Sequence, residues 1–229
     1  MITNSKSITI ALALVMATQV FAQLDQAQPD HRDAGIWTTT WATANRTITA
    51  LDAPLPGINN ATLRQVVRIS QGGRKIRVSF TNEFGNKPLT INEAHVAKRD
   101  HGAAIIQGSG KQLTFSGATT VSIPPGERRE SDAINMAVLD NAELVISTYL
   151  PDDITGSESP MTYHVRALQT NYIAAGNQSG ASDLAYFETT TTWHFLANVD
   201  VPTASRQDVW LALLPTCGNV DGSGICKRV

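Results

Sequence analysis

The side chains able to do acid–base, nucleophilic or metal chemistry are few in this sequence and far apart. Its five histidines are His31, His95, His101, His164 and His194. No pair of them shows metal-ligand spacing with a carboxylate or Cys nearby, and no cofactor is expected. His95, His164 and His194 fall in stretches that read as strands, where an imidazole more often serves as a satisfied structural group than as a catalyst. No G-x-S-x-G, G-D-S or S-x-x-K occurs, so the usual serine-nucleophile contexts are missing and no catalytic residue is assigned. Binding chemistry is better represented. Trp37 and Trp41 lie four apart, on one side of a straight strand unless a bulge separates them, and Trp193 stands near His194. Such rings either stack on sugar C–H groups or plug the end of a sandwich as core, and core is the commoner use. Asn82 and Glu83 lie in a turn that can present polar groups to a sugar. Asp152-Asp153 reads as a solvated turn rather than a calcium site. The candidate binding residues are therefore Trp37, Trp41, Asn82, His164 and Trp193.

The elements that must position these residues read as strands. Thr62 to Leu89 has the pattern of a β-hairpin: Val66, Val67 and Ile69 on one arm, Gln71-Gly72-Gly73 at the turn, and Ile76, Val78 and Phe80 on the return. Arg64, Arg68, Arg74 and Arg77 interleave with the apolar residues and are expected on a wet outer face. Asn82 to Gly85 supplies a turn, with Gly85 free to take positive φ. Leu89 to Ala97, Ile134 to Val138, Glu143 to Leu150 and Met161 to Thr170 read as further strands, with two short ones around Gly117 and a pair around Trp193 and Phe195. Glu127 to Asp132 reads as a charged, exposed connection. The total is roughly ten short strands, frequent Pro and Gly, and no helical period outside the amino-terminal run, which predicts an antiparallel, jelly-roll-like β-sandwich.

The remaining bounds come from charge and from the chain's ends. In 229 residues, 18 Lys and Arg face 20 Asp and Glu, which gives no reason to expect nucleic acid or an acidic membrane as a partner. Residues 1–22 resemble a secretory signal: Lys6, the apolar run Ile8 to Val20, and small side chains before a cleavage after Ala22. That run is shorter than the ~20 apolar residues a span needs, and no other segment is long enough. Export to the periplasm or medium is expected, and it permits a disulfide between the two cysteines, Cys217 and Cys226. Two free thiols in a loose tail are the equal alternative.

Nine short motifs then follow one another in an order that has a family resemblance. They are W-x-x-x-W-A-x-A (37–44), T-L-R-Q-V-V-R-I-S-x-G-G (62–73), R-V-S-F-T-N-x-F-G (77–85), A-H-V-A (94–97) and L-T-F-S-G (113–117). I-P-P-G (123–126), S-D (131–132), L-V-I-S-T-Y-L-P (144–151) and W-x-F-L-x-x-V-D-V (193–201) complete the series. Together they resemble the amino-terminal β-sandwich region of exported bacterial SGNH (GDSL-type) hydrolases, a group of esterases and lipases. Each motif is made of ordinary strand and turn residues, so the resemblance lies in their order.

The resemblance implies an accessory sandwich followed by a flavodoxin-like α/β catalytic domain. That domain would carry the Ser of G-D-S, a Gly and an Asn for the oxyanion hole, and a D-x-x-H pair. Here Asp208-Val209-Trp210-Leu211 looks like the start of its first strand, but Ala212 to Cys217 lacks G-D-S and the sequence given ends at Val229. The expected organisation is a signal peptide (1–22), a flexible leader (23–35), a β-sandwich (36–202) and a divergent or truncated start of a catalytic domain (203–229). The expected role is to place an ester or glycan substrate for a catalytic domain missing from this chain, which alone would be inactive. The alternatives are a stand-alone exported carbohydrate-binding module and a module that docks on a protein.

Overall fold

The computed structural model describes residues 36–48, 57–154 and 161–203. The expected signal sequence and leader, and the tail carrying Cys217 and Cys226, lie outside the described residues. Within them the chain forms strands and turns without a helix, and every strand pairing is antiparallel. The protein is an antiparallel β-sandwich. One layer is a five-stranded sheet of β1 (Ile36–Ala42), β16 (Leu196–Thr203) and β4 (Gly73–Thr81), with β9 (Arg128–Glu130) and β10 (Ile134–Val138) sharing the far edge of β4. The other is a six-stranded sheet in the order β14 (Tyr186–Thr190), β13 (Asn171–Ala175), β3 (Ala61–Arg68), β11 (Glu143–Leu150), β6 (Glu93–Lys98) and β7 (Lys111–Gln112). Smaller sheets close the sandwich: β2 (Arg46–Thr47), β12 (Thr162–His164) and β15 (Trp193–His194) form one, β5 (Leu89–Ile91) and β8 (Val121–Ile123) the other.

The core lies where the two large sheets face each other. Leu63, Val67 and Ile146 from one layer meet Ile76, Val78 and Phe80 from the other in one buried cluster. Each such side chain contributes ~2 kcal/mol by leaving water. In β11 the alternation reads directly from sequence: Leu144 and Ile146 enter this core, and Val145 belongs to a second cluster behind the sheet.

Thr62 to Leu89 does not fold as a hairpin. Its two arms, β3 and β4, belong to different sheets, so the chain between them is an arch that crosses the core. β3 already has β11 on one edge and β13 on the other, leaving no edge for β4. The arch is held from outside. A bulge in β1 between Thr39 and Trp41 turns out Thr40, whose hydroxyl donates to Gln71 O (2.7 Å) and accepts from Gln71 N (2.7 Å). Ser70 Oγ donates to Thr40 O (2.9 Å), and Asp140 Oδ1 accepts from Gly72 N (2.7 Å). Gly72 is required by close approach, because a Cβ there would stand 2.3 Å from Val138 O and 2.6 Å from Leu139 C.

β3 also overturns the expectation of one wet face. Residues Ala61 to Val67 are all buried, Arg64 among them at 0% exposure, while Arg68 and Arg74 are exposed and Arg77 is half-buried. The loops after β6 and β13 cover the face that a simple sandwich leaves to solvent: Ala103 and Leu184 pack there with Val66, Val145 and Tyr172.

Three further differences are local. The run from Leu89 to Ala97 is two strands in two sheets, broken at Asn92, where the inward phase slips from Leu89 and Ile91 to Ala94 and Val96. Glu127 to Asp132 includes a strand, β9, on the edge of β4. Gly85 is not among the positive-φ residues; it is glycine because a Cβ would meet Asn82 Oδ1 at 1.9 Å.

Replacing Gly72 by Ala forces a Cβ into backbone atoms that cannot move aside, and is expected to lower stability by about 2 kcal/mol or more. Gly57→Ala, where a Cβ meets nothing within 4 Å, is the matched control and is expected to leave the urea midpoint nearly unchanged. Equal midpoints for the two variants would contradict the close-approach account.

Candidate functional site

The small sheet of β2, β12 and β15 brings the aromatic candidates together, and its register makes each contact. His164 pairs with Trp193, and their rings stack at 5.9 Å and 27°. Tyr163 pairs with His194, and these rings stack at 5.9 Å and 16°. Arg46 pairs with Tyr163 and lays its guanidinium 4.9 Å from the ring centroid, a cation–π contact. Trp41 comes from β1 in the neighbouring layer and meets Trp193 edge-on, at 5.0 Å and 75°. The result is a half-buried aromatic end to the sandwich, with Trp41 and Trp193 packed against the core.

The five candidate binding residues divide. Trp41, His164 and Trp193 share this cluster. The bulge in β1 sends Trp37 to the opposite face from Trp41: Trp41 pairs with Val199, a core residue, while Trp37 pairs with Pro202. Trp37 instead lies under Arg77, 4.4 Å from guanidinium carbon to ring centroid. Arg77 in turn donates to Asp200 (3.0 Å) and pairs with Glu130 (2.9 Å), forming a polar network outside the five-stranded sheet. Asn82 is 2% exposed and engaged within its own loop. Its amide nitrogen donates to Lys87 O (2.8 Å) and Ile123 O (2.9 Å), and its backbone carbonyl accepts from Gly85 N and Gly126 N.

The cluster's hydrogen bonds limit what it can present. Trp193 Nε1 donates to Val66 O at 2.9 Å, and His164 covers one face of its indole. His164 Nδ1 lies 2.7 Å from the carbonyl of Ala44, which can only accept, so this nitrogen carries a proton. Asp153, in the expected turn, accepts from Asn59 (2.9 Å). Among the described residues no group of three or more His, Cys, Asp or Glu side chains is placed to hold a metal ion. No helix of the described residues is long and apolar enough to cross a membrane, which says nothing about strands.

The residues that sequence reasoning missed are buried and polar. Gln65, on the core side of β3, holds the backbone of His194 at both ends. Its Oε1 accepts from His194 N (2.6 Å) and its Nε2 donates to His194 O (3.0 Å). Asn171 acts similarly, its Oδ1 accepting from Val66 N (2.8 Å) and its Nδ2 donating to Thr192 O (2.8 Å). On the other face of β3, Thr62 and Arg64 hold the loop after β13: Thr62 Oγ1 donates to Gly176 O (2.6 Å) and accepts from Gln178 N (2.8 Å). Nothing in the local pattern marks these residues as inward. Asp132, from the S-D motif, caps the turn at Gly117. It accepts from Thr114 Oγ1 (2.6 Å), Gly117 N (2.8 Å) and Ser116 N (3.0 Å), and these bonds hold its carboxyl below the ordinary range.

His194 is not the satisfied strand histidine expected from sequence. It is 3% exposed, and neither ring nitrogen has a hydrogen-bond partner among the described residues. Burial pushes its pKa from 6.5 down to about 4. Comparison with protein-family models gives no match, and neither does comparison with curated proteins.

The depressed pKa of His194 makes stability depend on pH. An unfolded chain takes up this proton near pH 6.5 and the folded chain only near pH 4, so the unfolded state holds more protons between those values. Stability is therefore lost as pH falls through that window, by about 3 kcal/mol at most from this group. His95, also lowered by burial, acts in the same direction. His194→Phe keeps the stacked ring and removes the proton site. It is expected to reduce the drop in urea midpoint between pH 7 and pH 4.5, with little loss at pH 7 because no ring hydrogen bond is broken. An unchanged acid drop in this variant would show that His194 is not its source.

Proposed function

We propose that residues 36–202 are the accessory β-sandwich of an exported SGNH (GDSL-type) ester hydrolase, placing substrate for, or docking on, a catalytic domain outside this chain. The observation that carries the reading is the order of the nine motifs, from Trp37 to Val201. Their side chains also have individual structural tasks, which supports a shared architecture over chance. Gln65 and Arg64 of T-L-R-Q hold other segments from the two faces of β3. Asn82 organises its loop, Asp132 caps the Gly117 turn, and Trp193 anchors on Val66. On this reading the Ser, Asn and Asp–His blocks are supplied elsewhere, and the substrate is an ester, of a sugar or a lipid. No cofactor is required.

The convergence of Trp41, His164 and Trp193 favours a second reading, a carbohydrate-binding module that acts alone. The half-exposed His164 side is then the face that meets a sugar hydroxyl.

The two readings separate on DNA and on glycans. Translating the gene in all three frames beyond codon 229 is expected to reveal a G-D-S block followed by D-x-x-H, while the purified chain leaves a p-nitrophenyl ester unhydrolysed. Absence of both blocks from every frame and from the neighbouring genes would defeat the esterase reading. Glycan-array binding that falls at least about tenfold in His164→Ala would then support the stand-alone module, tenfold being ~1.4 kcal/mol of contact.

A further inference from the structure

We draw no further inference here: the strongest candidate, the surface patch of Tyr186 and Phe187 exposed on β14 at the edge of the six-stranded sheet, carries nothing because no feature of the structure shows what covers it.

Discussion

The structure depends on a strand that is buried on both faces. β3 sits inside the six-stranded sheet, and its side chains alternate between two different interiors. Apolar residues alone would fill both and leave the segments packed on them free to slide. Gln65 and Arg64, adjacent in sequence and opposite in direction, remove that freedom. Gln65 replaces a missing ladder partner by bonding both the N–H and the C=O of His194. Arg64 collects the carbonyls of Ala103, Gln178 and Ala181. A buried amide or guanidinium is tolerated when its hydrogen bonds are made, and it then selects one geometry because the alternatives leave it unpaired.

The aromatic end of the sandwich follows from the same tie. Holding the His194 backbone on β3 fixes β15, and the register of β15 on β12 then sets both stacked pairs, His164 on Trp193 and Tyr163 on His194. Trp193 adds its own bond to Val66, the residue next to Gln65. The unpartnered imidazole of His194 is the corollary: its backbone is fully engaged while its ring is enclosed among Tyr163, Phe195 and the core. That arrangement is neutral-pH chemistry, and acid opposes it.

Much of the sandwich is legible in the sequence, and the reasons for the rest are physical. The period-two alternation of Glu143 to Leu150 places each side chain correctly because one face meets a uniform core. The same rule fails for Thr62 to Leu89 because it assumes that a glycine turn joins neighbouring strands and that Arg faces water. Here the turn is an arch held by Thr40 and Asp140, residues distant in sequence, and Arg64 meets loops that no local pattern announces. The adjacent apolar pair Val66-Val67 is the one local sign that both faces are covered. Of the candidate binding residues, Trp41, His164 and Trp193 come together through strand register, which sequence spacing does not encode. Trp37 is removed from them by a bulge in β1, and Asn82 by the demands of its own loop.

Native-state amide hydrogen exchange at His194 tests the central claim most directly. If Gln65 is the tie between β3 and β15, the His194 N–H exchanges as slowly as the amides of β3, and in Gln65→Leu it alone among buried amides becomes fast while β3 stays protected. Rapid exchange at His194 in the wild-type protein, or unchanged protection in Gln65→Leu, would contradict the account.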